Sequence, residues 1–319
     1  MPLVVGIDEA GYGPTLGPLV VAMTLWDVSP PLVKTDFWQL LGDNVSRSAR
    51  DAHGRLVVSD SKTVYSRKKG LSSLERPVLA FASAAGLDCA TLETLLEEIG
   101  VQLPEGDELP WYRDLSNPLP TDRARSKHAG IADRLKRDMT ETGLVCRGLR
   151  AEVVTESSFN QRVAATRNKA AVLIEHVLRL IQHAGERARG QDLVVRVDRL
   201  GGRSNYRQLL ATAFPGRQMH VVEASDSRSR YRLKSTDNEW FIEFAVAADD
   251  QHLPVALASM LAKYLRELLM LGFNAFWKER LPTLRPTAGY YTDARRFLAD
   301  IEPAIADAGI PRERFVRSR

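Results

Sequence analysis

The residues best suited to chemistry stand near the start of the chain. Asp8 and Glu9 close an apolar run over residues 3–7, and glycines at 11, 13 and 17 follow before a second apolar run begins. The first run reads as a buried strand. Side chains of neighbouring residues in an extended chain point to opposite faces, so the two acids share a site only where the backbone bends between them. The glycines supply that freedom and let the backbone approach a ligand closely. A strand end carrying two carboxylates beside bare backbone N–H groups makes a seat for a metal ion and a phosphate. A hairpin with two solvated acids is the plain alternative.

The same logic recurs at residues 192–198, where an apolar strand ends in Asp198, followed by Arg199, Gly201, Gly202 and Arg203. Asp198 is therefore the third candidate carboxylate, against the blander reading of an acid that caps a strand end. A basic loop, Asp60-Ser61-Lys62 followed by Ser66-Arg67-Lys68-Lys69, lies between these acids in sequence. Arg228, Arg230, Arg232 and Lys234 are spaced to share one face of a strand. That face either tracks phosphates or is a solvated edge blunted by charge. The basic tail with Arg312, Arg314, Arg317 and Arg319 either contacts phosphate or is disordered.

The elements that must position these groups can be read in order. Residues 3–8 and 18–26 form a hairpin, residues 31–41 a helix ending at Gly42, and residues 55–58 a short strand. A helix spans 88–100. A loop with Pro104, Pro110, Pro118 and Pro120 fills 101–121, and residues 122–142 have helical spacing. A strand covers 144–155 and one long amphipathic helix covers 157–187. Strands at 218–223, 231–234 and 239–247 and helices at 273–281 and 293–308 complete the pattern.

The chain has 319 residues, 44% of them apolar, with a formal net charge of +4. That suffices for one large domain with appendages or for two domains. No run of about 18 apolar residues suggests a membrane span, and the first residues enter a strand with no signal-peptide pattern. Two cysteines, Cys89 and Cys146, make neither a disulfide framework nor a zinc site. A cytoplasmic protein is expected. The positive charge is compatible with a polyanionic partner.

Gly6, Asp8, Glu9, Ala10, Gly11, Gly13, Pro14, Gly17 and Pro18 together resemble the N-terminal signature of the ribonuclease HII family, G-x-D-E-A-G-R-G-P-x-x-G-P. Tyr12 stands where the family has arginine. Further resemblances are the Asp60-Ser61-Lys62 loop, the strand ending in Asp198, and the segment from Asp249 to Ser259 and Lys263, which is similar to the family's G-D followed by A-A-S-I-x-A-K. Gly289-Tyr290-Tyr291-Thr292 resembles the family's G-Y-P-T, with Tyr291 replacing the proline and Arg295 near the family's histidine position. The resemblance implies an α/β, ribonuclease H-like fold: a mixed central sheet with flanking helices. The catalytic domain is expected over residues 1–272, with insertions near 88–142 and 225–245, and a C-terminal helical extension over 273–319.

The resemblance also implies roles. Asp8, Glu9, Asp198 and Asp249 become the catalytic and metal-binding acids. Asp250 competes for the fourth place, and so does Glu223, because the sister ribonuclease HIII family uses glutamate there. Lys62 and Ser61 are expected at the phosphate, Gly11, Tyr12 and Gly13 at the sugar, and Tyr290 at the RNA–DNA junction. Four carboxylates in one place repel. Mg2+ or Mn2+ removes that cost, and Mg2+ favours oxygen ligands beside substrate phosphates. Two such ions about 4 Å apart can activate a water and stabilise a leaving oxygen. An RNA enzyme must also read the 2′-hydroxyl. The expected function is a monomeric, divalent-metal-dependent endoribonuclease acting on RNA–DNA hybrids or ribonucleotide-containing duplexes. A nuclease of the same fold with another target, such as a DNA junction, and an idle nucleic-acid-binding protein are the rivals.

Overall fold

The computed structural model of the chain describes residues 1–66, 70–103, 109–121 and 129–318. The expectations for Arg67, Lys68, Lys69, Pro104, residues 122–128 and Arg319 lie outside the described residues. The first two strands, β1 (Leu3–Ala10) and β2 (Leu19–Val28), pair antiparallel in unbroken register, the expected hairpin. Short elements follow: α1 (Phe37–Leu40), β3 (Val45–Ser46), β4 (Leu56–Val57) and α2 (Ser61–Val64). Next come α3 (Ser72–Ala84), α4 (Leu92–Glu98), α5 (Ala129–Thr142), β5 (Leu144–Val154), α6 (Glu156–Thr166) and α7 (Lys169–Ala188). The second half holds β6 (Leu193–Asp198), α8 (Arg207–Ala213), β7 (Gln218–Ala224), β8 (Arg228–Lys234), β9 (Glu239–Ala245) and α9 (Ala248–Gln251). It ends with α10 (Leu253–Arg280), α11 (Tyr291–Ala308) and α12 (Arg312–Phe315).

One seven-stranded sheet in the order β5-β2-β1-β6-β9-β8-β7 organises the described residues. β1, β6 and β9 run parallel at its centre, and the flanking pairs are antiparallel. The mixed sheet with flanking helices is the α/β architecture expected from the sequence. Leu3, Val5, Ile7, Val195 and Val197 bury one face against Leu173, Val177, Leu180 and Ile181 of α7. Val4, Ala22 and Trp26 bury the other against α3 and α10. Among the described residues no helix is long and apolar enough to cross a membrane.

Helix α10 matters most for the site because its start lies directly on β1. Thr24 donates through Oγ1 to the carbonyl of Pro254 at 2.8 Å, and Trp26 Nε1 donates to Thr24 Oγ1 at 2.9 Å. Pro254 sits in the first turn, where its missing N–H costs no helical bond. Gly6 lets the helix approach, since a Cβ there would collide with the backbone of Pro254 and Val255. Gly6→Ala is therefore expected to destabilise the fold by about 2–3 kcal/mol. A thermal melt should show a midpoint lower by about 3–5 °C; an unchanged midpoint would contradict this packing.

Several elements differ from the sequence expectations. The helix expected over 31–41 is a 3-10 turn (Pro30–Leu32) and then α1, because Asp36 caps a new helix by accepting the Trp38 N–H at 2.9 Å. The helix expected over 157–187 is two helices. Arg167 adopts a left-handed conformation (φ 50°), and Asn168 caps α7 by accepting from the Ala170 N–H. In place of the helix expected from residue 88, Thr91 caps the later-starting α4 through a reciprocal box with Thr94. The limit expected at 272/273 falls within α10. Within the region expected as an insertion over 225–245, β9 is an integral strand parallel to β6, and β8 pairs with β7 to extend the sheet outward. β8 is not an edge. Its basic face is tied down by ion pairs of Arg228 and Arg230 with Glu243, Arg230 with Glu223, and Lys234 with Glu239.

Candidate active site

The sheet register places two of the acids side by side. Ile7 pairs with Val197 across the parallel β1–β6 ladder, and both bury on the α7 face. The next residues are Asp8 and Asp198, which by alternation leave the opposite face of neighbouring strands. Adjacent strands lie about 4.8 Å apart. Asp249 arrives from α9: the Ala248 N–H, one residue before it, donates to Asp198 Oδ1 at 2.9 Å.

Glu9 reaches the group without the expected bend. β1 stays paired with β2 through Ala10 but outruns β6 after Ile7. Glu9 therefore stands beyond that ladder, where a side chain leaving the other face still feels the Asp198 charge. The Glu9 N–H donates to Asp8 Oδ1 at 2.7 Å.

Electrostatics bind the four into one centre. Burial, then Glu9 and Asp198, push the Asp8 pKa well above the carboxylate range, with Asp249 adding to the effect and a hydrogen bond to Ser259 opposing it. Burial and Asp198 raise Glu9 to about 7, against the pull of Lys62. Burial and Asp198, with Asp60 and Asp250, raise Asp249 to about 7. Asp198 is raised by burial, against the Ala248 and Arg199 amides that favour its charge. Burial works against the Lys62 charge, but Asp60, Asp8, Asp249 and Asp198 together hold its pKa above the ordinary value.

These acids share a field without forming a closed ligand set: among the described residues no group of three His, Cys, Asp or Glu side chains stands in a ligating arrangement. The donor chemistry nonetheless fits a hard divalent cation. All the donors are carboxylate oxygens. Glu9 Oε2 is buried with no hydrogen-bond partner. Mutual repulsion of this kind is what a cation relieves.

The other expected residues are distributed around this centre. Lys62 projects from α2, whose cap Asp60 accepts the Lys62 N–H at 3.0 Å. Ser61 does not face outward as a phosphate contact would. It is buried, its Oγ lies 3.0 Å from Ser259 Oγ, and through Ser259 it supports Asp8. Glu223 is remote: it lies on β7, four strands from β1 and so about 19 Å away, and pairs with Arg230. Asp250 raises the pKa of Asp249.

The glycine turn at 11–17 is packed from beneath. Gly11 and Gly17 have φ of 89° and 84°; a Cβ at Gly11 would collide with the Pro18 carbonyl and the Arg266 side chain, and one at Gly17 with Met270. Arg266 is wholly buried and donates to the carbonyls of Leu16 at 3.1 Å and Ala288 at 3.0 Å. Thr15 and Leu16 donate to the Gly289 carbonyl, which brings Tyr290 beside the turn. Tyr290 is 49% exposed, with the Arg266 guanidinium 5.8 Å from its ring centre. Lys169 lies 4.9 Å from the Tyr12 ring centre.

Sequence reasoning passed over four participants. Asp60 was read as a loop residue, although Asp before Ser-Lys is a helix-cap signal. Ser259 served only to align the helix. Arg266 gives no local signal, and Arg317 reads only as one arginine of the basic tail, because both act on residues some 250 or 300 positions away.

No family model matches the chain, and no curated protein matches it. Solved structures do. The ribonuclease HII of Archaeoglobus fulgidus, in its complex with PCNA, is 18% identical with a TM-score of 0.43, over 99% of this chain and 94% of that one. Ribonuclease H2 from Pyrococcus horikoshii is 14% identical with a TM-score of 0.40, over 98% and 92%. Bst ribonuclease HIII in complex with Mn2+ is 13% identical with a TM-score of 0.43, over 99% and 66%. Each of the three is a ribonuclease H. The likeness is remote in both sequence and superposition, and the functional reading stands on the acids and their neighbours.

Proposed function

We propose that this protein is a divalent-metal-dependent endoribonuclease that hydrolyses the RNA strand of RNA–DNA hybrids. The observation that carries this reading is the convergence of Asp8, Glu9, Asp198 and Asp249. They come from three distant segments; burial raises the pKa of each, and repulsion from neighbouring acids of the group adds to it at Asp8, Glu9 and Asp249. A fold does not bear such a cost for stability, and raised carboxylate pKa values cluster at functional sites. The N-terminal signature that resembles ribonuclease HII surrounds the same acids.

In this reading the four carboxylates would hold Mg2+ or Mn2+. Bound there, the metal would supply Lewis-acid stabilisation to the phosphodiester oxygens and ease deprotonation of the attacking water. Lys62, the cation in the field of the acids, offers its ammonium to the scissile phosphate. Ser259 and Ser61 hold Asp8 in place from behind. The backbone of Gly11, Tyr12 and Gly13 reads the 2′-hydroxyl, which acts as both donor and acceptor. Tyr290, exposed beside that turn, stacks on the sugar or base next to the cut.

The test is a substrate panel: a labelled RNA–DNA hybrid, a DNA duplex with one embedded ribonucleotide, and a branched DNA, each with Mg2+, Mn2+ or a chelator. Metal-dependent cleavage confined to ribonucleotide-containing substrates is expected, with the hybrid cut more readily than the single ribonucleotide because Tyr12 lacks the family arginine's charge. Preferential cutting of branched DNA, or binding without turnover under every metal, would replace this reading.

A further inference from the structure

The C-terminal tail, whose arginines read as a basic run, does something more specific. Residues 315–318 return to the glycine turn: Val316 bridges Leu16, and the Arg317 N–H donates to the Thr15 carbonyl at 2.9 Å. Asn160 on α6 fastens this return. Its side-chain amide donates to the carbonyls of Glu313 and Val316, both at 2.7 Å, and its Oδ1 accepts from the Ser318 N–H. The Arg317 side chain is thereby buried, with 3% exposure, and its guanidinium lies 3.9 Å from the Phe159 ring centre.

From there Arg317 donates through Nη1 to the Gly11 carbonyl and through Nη2 to the Tyr12 carbonyl. These carbonyls belong to two consecutive peptide planes. In a trans peptide the C=O and the N–H of the following residue point in opposite directions. Drawing the carbonyls of Gly11 and Tyr12 inward therefore turns the N–H groups of Tyr12 and Gly13 outward. Among the described residues neither amide donates to a protein acceptor, and Gly13 is exposed. Two successive N–H groups facing the same way form a small concavity that favours an oxygen ligand. The guanidinium behind them polarises both peptides in the direction that strengthens their donors.

We propose that Arg317 is a positioning residue for substrate: it sets the two peptide planes of the glycine turn so that the Tyr12 and Gly13 amides grip a sugar hydroxyl or phosphate oxygen of the nucleic acid. The role rests on the ribonuclease reading of the adjacent acids. Positive charge thus reaches the turn from a segment some 300 residues away. Arg317 touches neither the substrate nor the acids. It acts through the backbone.

The test compares Arg317→Ala, Arg317→Lys and Asn160→Ala in the full chain. Each variant is measured for KM and kcat on a labelled hybrid, for binding of hybrid against all-DNA duplex, and for melting temperature. Arg317→Ala is expected to raise KM about tenfold, as for a lost charge-assisted hydrogen bond, with kcat within about threefold because the acids are untouched. Its binding preference for the hybrid should shrink, and millimolar guanidinium should partly restore KM. Arg317→Lys, which keeps the charge but loses the rigid planar fork, should lie between. Asn160→Ala should loosen the tail and raise KM less. An unchanged KM in Arg317→Ala and Arg317→Lys would overturn the proposal. So would a fall in kcat and melting temperature together, with no rescue by guanidinium. If the wild-type protein does not cleave the hybrid, the ribonuclease reading itself fails. Crystal structures of wild type and Arg317→Lys then decide: inward carbonyls at residues 11 and 12 that persist without the guanidinium fork overturn the positioning role, and rotated peptides support it.

Discussion

Replacing Asp8 with Asn is expected to abolish hybrid cleavage and yet make the metal-free protein more stable. The two effects have one cause. Asp8 is buried beside Glu9, Asp198 and Asp249, and its pKa is raised well above 3.8. A carboxylate whose folded pKa is raised contributes stability that is fully present below its unfolded pKa and is lost as pH rises through the folded pKa. At pH 7–8 keeping this carboxyl in the fold, whether ionised against its neighbours or protonated, therefore costs stability that Asn restores at nearly the same volume. Melting in chelator should rise by about 3–6 °C at pH 8, and the difference should shrink toward pH 4. Activity moves the other way. Loss of a ligand from a centre that supplies several kcal/mol to the transition state should lower kcat by about a thousandfold or more. Calorimetry in chelator and initial rates on a labelled hybrid check the two signs together. A variant both less stable and inactive would mark Asp8 as structural, and one with near-normal rates would remove it from the mechanism.

Asp249→Asn is expected to cost about a hundredfold to a thousandfold in kcat, whereas Asp250→Asn and Glu223→Gln should stay within about threefold of wild type. The sequence leaves three acids for the fourth place. The fold separates them: Asp249 is held next to the Ala248 amide that bonds Asp198, and its carboxyl is pushed up to about 7 within the shared field. Glu223 is on the outermost strand, neutralised by Arg230. Parallel rate measurements on the three variants decide the matter. A large loss in Glu223→Gln with Asp249→Asn active would contradict the assignment.

Much of this arrangement is legible in the chain because the information is local. The runs before Asp8 and Asp198 are dominated by apolar residues, broken by Arg196 in the second, as suits buried parallel strands, and the glycines at 11 and 17 mark a turn at positive φ. The adjacency of Asp8 and Asp198 then follows from parallel pairing alone. Other features were hidden because a local pattern looked the same in two structures. The apolar stripe of residues 157–187 runs on through Arg167 and Asn168, so periodicity shows one helix. The break is encoded in Asn168 as a cap, a weaker signal than the stripe around it. Ser61 was legible as a motif position but not as a buried hydroxyl, since its partner Ser259 is on another helix. Arg317 was least visible of all. A lone arginine in a basic tail differs in nothing local from its neighbours Arg312 and Arg314, which are exposed. Its burial depends on where residues 11, 12 and 159 lie in space.

The most direct measurement is anomalous diffraction from crystals of the wild-type protein equilibrated with Mn2+. The account predicts manganese peaks among the carboxylates of Asp8, Glu9, Asp198 and Asp249, with the Glu9 Oε2 oxygen that now lacks a partner drawn into coordination. Manganese bound only elsewhere, or an acid centre that stays metal-free at saturating Mn2+, would contradict it.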